Sequence, residues 1–521
     1  MQHGGAAPAQ PVQLTEVETR QAMSMQQALQ HPAARTRVGL ITVTVMLGLI
    51  MAIIDTTIVN VAISTIGGNL GATVDEVAWI ATGYILANVV VMPLNGWLTA
   101  LLGRKTFYAA SLALFTVASL LCGTARSIWV LVFYRVIQGI GGGALQPTAQ
   151  AILFETFPPQ RRGAAMAIFG MGAMVGPAIG PTLGGWIVDN ASWPLIFYIN
   201  IPIGIVAFLM TLAFIPNPKY IAKPKGGIDW IGLGLLTAGL ASLQFVLEQG
   251  ERDDWFQSQT ILLFTVISAV ALVVFVLKTL RDRHPLVDLK VFKFRSFSVG
   301  SFLGIIMGFG LFGTALILPL FFQTTLGMTA FDTGMALMPG AISTAISMLI
   351  IGRLLNRIDG RWSIVFGTLV FAWSSWLLGG LNTQAGYWDV FWPRVVQGFA
   401  LGFLFVPLTT ISLSDVPVPE LANATGIFTL LRQLGGSLGI AILTTMLAHQ
   451  TAIAWNNLAA GVTQTHGYST AQLTQMVGQQ SAMIAYNYLF RVTAIVFVLS
   501  TPLVFLMRRP RRIPSVQVEA A

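Results

Sequence analysis

Arg135-Val136-Ile137-Gln138-Gly139 and Arg394-Val395-Val396-Gln397-Gly398 are nearly one string written twice, each inside a long apolar stretch. They stand about 260 residues apart, and two flanking markers keep nearly the same offset. The loop from Gly96 to Lys105 matches that from Gly352 to Arg361, and Pro159 matches Pro419. Order and spacing agree, which argues for a duplicated unit over chance recurrence in a chain with 52 glycines. Six apolar runs surround the first string, at 38–66, 77–101, 106–124, 128–154, 164–188 and 195–215. Six surround the second, at 297–322, 333–355, 363–381, 390–413, 421–447 and 484–507. Two more, 228–247 and 260–280, lie between the copies. Each is close to the length that crosses a bilayer as a helix, about 20 residues.

Composition demands that setting. Of 521 residues 55% are hydrophobic and only 9% charged, with a mean hydropathy of +0.74; soluble domains carry about 25% charged residues. The expected fold is an all-α membrane protein with 14 transmembrane helices, two six-helix bundles plus two inserted helices. The expected parts are a cytoplasmic tail at 1–36, the first bundle at 37–216 and the inserted pair with basic cytoplasmic loops at 217–295. The second bundle follows at 296–507, with an outer loop near 448–483, and a cytoplasmic tail at 508–521. The first 35 residues are polar and Gln-rich, and read as a tail and not a signal peptide.

The charge of +9 acquires its meaning from its placement. Twenty-three of the 29 Lys and Arg fall in the tails and in the loops that an even number of spans puts on the same side as the tails. Only Arg126 and Arg252 fall on the other side, and Arg135, Arg394, Arg432 and Arg491 fall within spans. Basic residues near helix ends mark the cytoplasmic face, so both termini are expected there and nucleic acid is not the partner. A lone Cys122 rules out a disulfide framework, and five His have no metal-ligand spacing. There is no paired-His motif, no nucleophile with its base and no phosphate loop, so an enzyme, a metal site and a cofactor are not expected.

Among twenty carboxylates Asp55 alone lies deep in an expected span, about 25 Å along the first helix. An ionised Asp at a helix centre costs about 2.5–3.5 kcal/mol to insert, so it faces a polar cavity or a partner. Thr56, Thr57 and Asn60 could satisfy it locally, which leaves a purely structural role open. No His lies in any expected span and the one Lys, Lys278, stands at the very end of 260–280, which makes Asp55 the candidate for proton coupling and Arg135 a fixed positive charge that can tune it. The fifth span carries Gly176, Pro177, Gly180, Pro181, Gly184 and Gly185. Small residues at this spacing let helices approach closely, and the two prolines free backbone carbonyls, as in a hinge or seal.

These residues resemble the major facilitator superfamily, specifically its fourteen-span drug:proton antiporter family (EmrB/QacA-like), over nearly the whole chain. Asp55-Thr-Thr-Ile-Val-Asn60 is similar to that family's first-span motif. Arg135, Gln138 and Gly139 resemble its fourth-span motif, and Gly176, Gly180-Pro181 and Gly184-Gly185 its antiporter motif. Residues Asp254 to Gln259, His284 to Asp288, Val396 to Ala400 and Pro407 to Thr410 look closest to EmrB-type multidrug efflux pumps. One departure is the loop after Gly96, where Ala100 and Leu101 replace the usual acidic and basic residues while Gly103, Arg104 and Lys105 remain.

The resemblance implies the major facilitator fold and a bacterial inner-membrane pump, driven by the proton gradient, that works with a periplasmic adaptor protein and an outer-membrane channel. Its function would be proton-coupled multidrug efflux of small amphipathic compounds by alternating access. A dedicated exporter of one metabolite, antibiotic or siderophore is the alternative, and a non-transporting sensor or scaffold belongs to another class. An adaptable cavity needs apolar walls, Met and a few polar groups. The candidates are Thr57, Gln138, Gln146, Met171, Phe309, Phe312, Gln323, Trp373 and Gln397, any of whose aromatics could equally face lipid.

Overall fold

A computed structural model describes residues 32–218, 228–282, 284–461 and 469–508. Residues 1–31, the basic loop at 219–227 and residues 509–521 lie outside that set, and the first helix begins at Pro32, inside the stretch expected as tail. The first bundle consists of α1 (Pro32–Leu70), α2 (Val74–Val91) continued by α3 (Asn95–Leu102), α4 (Arg104–Gly123), α5 (Ile128–Thr156), α6 (Arg162–Asn190), the short α7 (Leu195–Tyr198) and α8 (Asn200–Phe214). The inserted pair is α9 (Trp230–Gln249) and α10 (Gln259–Arg281). The second bundle is α11 (Arg295–Leu320), α12 (Ala330–Leu354), α13 (Gly360–Leu378), α14 (Tyr387–Ser414), α15 (Leu421–Gly461) and α16 (Thr470–Ser500).

Among the described residues twelve helices are long and apolar enough to cross a membrane. Two others, α6 with 29 residues and α13 with 19, stand at the expected fifth and eleventh spans. Arg361, three tryptophans and three serines dilute the hydropathy of α13. The wide outer loop expected near 448–483 is mostly helix: α15 runs on to Gly461, and α16 starts at Thr470 behind a Ser469 capping box. No proline interrupts either stretch, so both helices continue past their apolar segments.

The duplication is visible in the packing. In the first bundle α1 packs on α6, α2 on α5 and α4 on α5; in the second, α11 packs on α15, α12 on α14 and α13 on α14. Pro159 and Pro419 each sit in a one-turn 3-10 helix ahead of the next long helix. Glycine permits the closest approaches. A Cβ on Gly139 would lie 2.5 Å from the Tyr84 carbonyl, and one on Gly398 2.0 Å from the Gly340 carbonyl.

The bundles meet at the end that carries the basic loops. Asn95 donates to the Ala422 carbonyl at 2.9 Å, and Thr429 donates to Gln150 Oε1 at 3.3 Å. A Cβ on Gly163 would lie 3.2 Å from the Gly352 carbonyl, and Phe169 of α6 stacks on Phe405 of α14 at 6.2 Å. The inserted helix α9 bridges both units towards the opposite end, with Phe245 stacked on Trp79 of α2 at 5.8 Å and Gln244 donating to Ser437 of α15 at 2.7 Å.

Candidate functional site

Asp55 is fully buried at the meeting of five helices of the first bundle. Its Oδ2 accepts from Arg135 Nη1 at 2.6 Å, and its Oδ1 accepts from Gln138 Nε2 at 2.9 Å and Asn200 Nδ2 at 2.8 Å. The i, i+3 spacing places Arg135 and Gln138 on one face of α5, where Arg135 Nη1 also donates to Gln138 Oε1 at 2.7 Å. Ser119 of α4 closes the ring, 2.6 Å from Gln138 Nε2 and 3.2 Å from Asn200 Nδ2. Arg135 further donates from Nε to the Ile80 carbonyl at 3.2 Å and lies 4.1 Å over the Tyr84 ring. An ionised carboxylate out of water requires a countercharge and filled lone pairs, and this arrangement supplies both.

The second bundle repeats the frame without the acid. Arg394 Nη1 donates to Gln397 Oε1, and Gln397 Nε2 lies 3.5 Å from Ser375 Oγ, as Gln138 Nε2 lies near Ser119. The corresponding stretch of α11, residues 311–315, reads Leu-Phe-Gly-Thr-Ala, and Arg394 Nε is buried without a partner. Among the described residues this frame pairs an acid with its arginine in the first bundle alone.

The glycines of α6 face α1, the helix that bears Asp55. A Cβ on Gly176 would meet Ile53 at 2.3 Å, one on Gly180 would meet Thr57 Oγ1 at 2.0 Å, and one on Gly184 would meet Ile58 at 2.8 Å. Gly185 is packed far more loosely, with Val61 of α1 at 4.0 Å its nearest neighbour. The side chains of Pro177 and Pro181 lie outside the described set, and the α6 helix is continuous through both. At the foot of α5 Arg104 pairs with Glu155 at 2.5 Å, so the loop that has Ala100 keeps one buried ion pair.

The candidates for a substrate wall divide. Gln138 and Gln397 are buried in the two polar frames, and Thr57 donates to the Gly176 carbonyl at 3.1 Å; their polar groups are spent between helices. Trp373 is 56% exposed and Gln323 is exposed in a π-helical turn, Phe321–Thr325. Phe309 and Phe312 are half-buried against the glycines of α15, and Met171 is half-buried on the core. Gln146 is half-buried on α5, one turn from the fully buried Gln150.

The sequence profile of the Major Facilitator Superfamily matches residues 45–440. The chain belongs to the major facilitator superfamily. It is 35% identical over 504 residues to the multidrug export protein EmrB of Escherichia coli K12, covering 92% of this chain and 97% of that protein. It is 34% identical to the fatty acid resistance protein FarB of Neisseria gonorrhoeae, covering 90% and 96%. The proton:xylose symporter XylE shares the fold, with a TM-score of 0.62 at 13% identity over 90% of this chain and 96% of that one. A major facilitator fold accounts for the paired bundles and for the seam between them. Asn200 and Ser119 complete the Asp55 cluster and are absent from the residues nominated by the sequence. Asn200 is an amide inside an apolar run, the same signal that singles out Gln138 and Gln146. Ser119, an ordinary hydroxyl in a span, carries no such signal.

Proposed function

We propose that this chain is a proton-coupled efflux transporter of small amphipathic compounds, with Asp55 as its proton-carrying group. The observation that carries the reading is the Asp55–Arg135 pair, an acid and a fixed cation 2.6 Å apart and out of water. Neutralising the carboxylate removes the attraction that holds the Arg135 fork, while Arg135 keeps Gln138, the Ile80 carbonyl and the Tyr84 ring. The change reaches the seam through packed helices: α1 is fitted to α6 by the glycine stripe, and α6 leans on α12 and α14 of the second bundle. Alternating access then follows as rocking of one bundle against the other.

The basic end is assigned to the cytoplasm, with both termini there, because 23 of 29 Lys and Arg gather on it. The setting proposed is a bacterial inner membrane, with a periplasmic adaptor and an outer-membrane channel as partners and no cofactor beyond the gradient. The test is purified protein in liposomes with an imposed pH gradient. Gradient-dependent movement of a panel of amphipathic dyes is expected, and its absence for the whole panel would count against the reading.

A further inference from the structure

Glu248 stands half-buried in the last turn of α9, at the end of the molecule away from the basic loops. Its Oε1 accepts from Gln244 Nε2 at 2.8 Å, one turn back on the same helix. That amide also donates to Ser437 Oγ of α15 at 2.7 Å, and the buried Thr82 hydroxyl of α2 is within reach of the Glu248 carboxyl. A polar chain thus runs from the first bundle through the inserted helix to the second: Thr82, Glu248, Gln244, Ser437. The loop after α9 repeats the bridge, since Arg252 pairs with Asp75 of α2 and Trp255 Nε1 donates to Thr445 of α15 at 2.9 Å.

A glutamine at 248 would complete the same chain without a charge, so the acid calls for another explanation. Ionised, Glu248 opposes the dipole of its own helix, whose last turn holds no Lys or Arg, and among the described residues it has no ion pair. Charged groups on the elements packed against α9 are engaged elsewhere or stand apart. On α2, Asp75 holds Arg252, Glu76 closes the Thr73 capping box and Tyr84 lies under Arg135. On α15, Arg432 lies by the Phe405 ring and His449 is exposed; on α10, Lys278 holds Asp229 and Asp282, and Arg281 is exposed at that same far end. The loop adds only the exposed acids Glu251, Asp253 and Asp254.

Gln244 is fully buried, and its Oε1 has no donor. The Asp55 cluster has the same pairing, a carboxylate beside an amide, that of Asn200, whose oxygen is unpartnered. At both places a proton on the acid supplies the missing donor once the amide turns. We propose that Glu248 is a second proton-binding group of the transport cycle, a positioning residue whose charge sets how firmly α9 joins the two bundles. Resting on the transport reading above, it adds a second protonation to the cycle, in the inserted pair. Neutral Glu248 donates to Gln244 and keeps the chain between α2 and α15 closed. The ion, with no countercharge there, is better served by water, and α9 loosens.

The test is infrared difference spectroscopy of the full chain in lipid bilayers, without a gradient, titrated across the pH range in which it stays folded. Wild-type protein is expected to lose two buried neutral-carboxyl bands as the pH rises, of which Asp55→Asn removes one and Glu248→Gln the other. Gln244→Leu, which keeps both acids, is expected to move the Glu248 band by about one pH unit, the scale of one hydrogen bond to a charged group. It stands as the second variant if Glu248→Gln does not fold. Export of the amphipathic dyes from liposomes, at a fixed pH difference and varied absolute pH, reads the cycle. Wild type is expected to show two steps, Glu248→Gln one, and Glu248→Asp two again. An unaltered carboxyl spectrum in Glu248→Gln, an unmoved band in Gln244→Leu, or a uniform loss of export with both steps kept would overturn the second site. Dye export by a protein whose Glu248 never titrates would overturn this inference alone. A titrating Glu248 in a protein that moves no dye would support the proton site and overturn the transport reading.

Discussion

Asn200 donates from Nδ2 to Asp55 Oδ1 at 2.8 Å, while its own Oδ1 is buried with no partner. It is the first residue of α8, and it makes Asp55 the junction of three helices that do not follow one another in sequence. With Arg135, Gln138 and Asn200 all donating, the ionised carboxylate is saturated. A proton placed on Asp55 must displace one of these donors or find a new acceptor, and the free Oδ1 of Asn200 becomes available if its amide turns. A turned Asn200 amide would give a neutral arrangement beside the charged one observed, the second state that the proposed coupling requires.

Asp55→Asn is expected to abolish gradient-driven export while leaving a membrane-inserted, monodisperse protein. The amide keeps the shape of the carboxyl but cannot gain or lose a proton. It also leaves Arg135 without a countercharge, a loss of about 3–5 kcal/mol for a fully dry pair. Gln138 Oε1, the Ile80 carbonyl and the Tyr84 ring offset part of that loss. The measurement is proteoliposome transport alongside thermal unfolding; full coupled transport by the variant would remove Asp55 from the mechanism.

Arg135→Ala is expected to be far more damaging than Arg491→Ala. Arg135 is 1% exposed and neutralises Asp55, whereas Arg491 is exposed, donates to the Gly379 carbonyl at 3.1 Å and lies beside Trp376. At matched expression, transport by the Arg491→Ala protein should stay within about twofold of wild type, as for a surface substitution. Equal losses in the two variants would show that burial is the wrong criterion.

Much of this architecture is legible before any coordinates. The Arg-Val-x-Gln-Gly string predicts a repeated unit, and the Arg394–Gln397–Ser375 frame shows the repeat extending to hydrogen bonds. Asp55 and Arg135 are legible because an ion pair in hydrocarbon is expensive and therefore conspicuous. The substrate wall is not. Trp373 faces outward and Gln397 inward on neighbouring helices α13 and α14, and composition alone cannot assign a helix face when lipid and core are equally apolar. Asn200 escapes for a related reason, since its role depends on three distant helices converging.

Gly180→Ala and Gly185→Ala are expected to separate two glycines that adjoin one motif. At Gly180 the new methyl would lie 2.0 Å from Thr57 Oγ1 and 2.7 Å from its Cβ, forcing α6 from α1 at a cost of about 1–3 kcal/mol. At Gly185 the nearest atom is 4.0 Å away, so the change should stay within about 0.5 kcal/mol. Unfolding temperatures in detergent read the difference. Thr57→Ala combined with Gly180→Ala should recover only part of the loss, because the Cβ of residue 57 remains.

A cysteine pair at Gly163 and Gly352 is expected to lock the basic end of the seam. The Cβ built on either glycine lies within 3.4 Å of the other's backbone carbonyl, so the two side chains would start close to the separation of about 3.5–4.5 Å that a disulfide spans. The native Cys122 is buried and can be replaced by Ser to leave a clean background. Oxidation of the Gly163→Cys, Gly352→Cys protein should stop export, and a reductant should restore it, because the bundles must separate here for the inner end to open. Continued transport by quantitatively cross-linked protein would show that this seam stays shut throughout the cycle, and would move the inner opening elsewhere on the molecule.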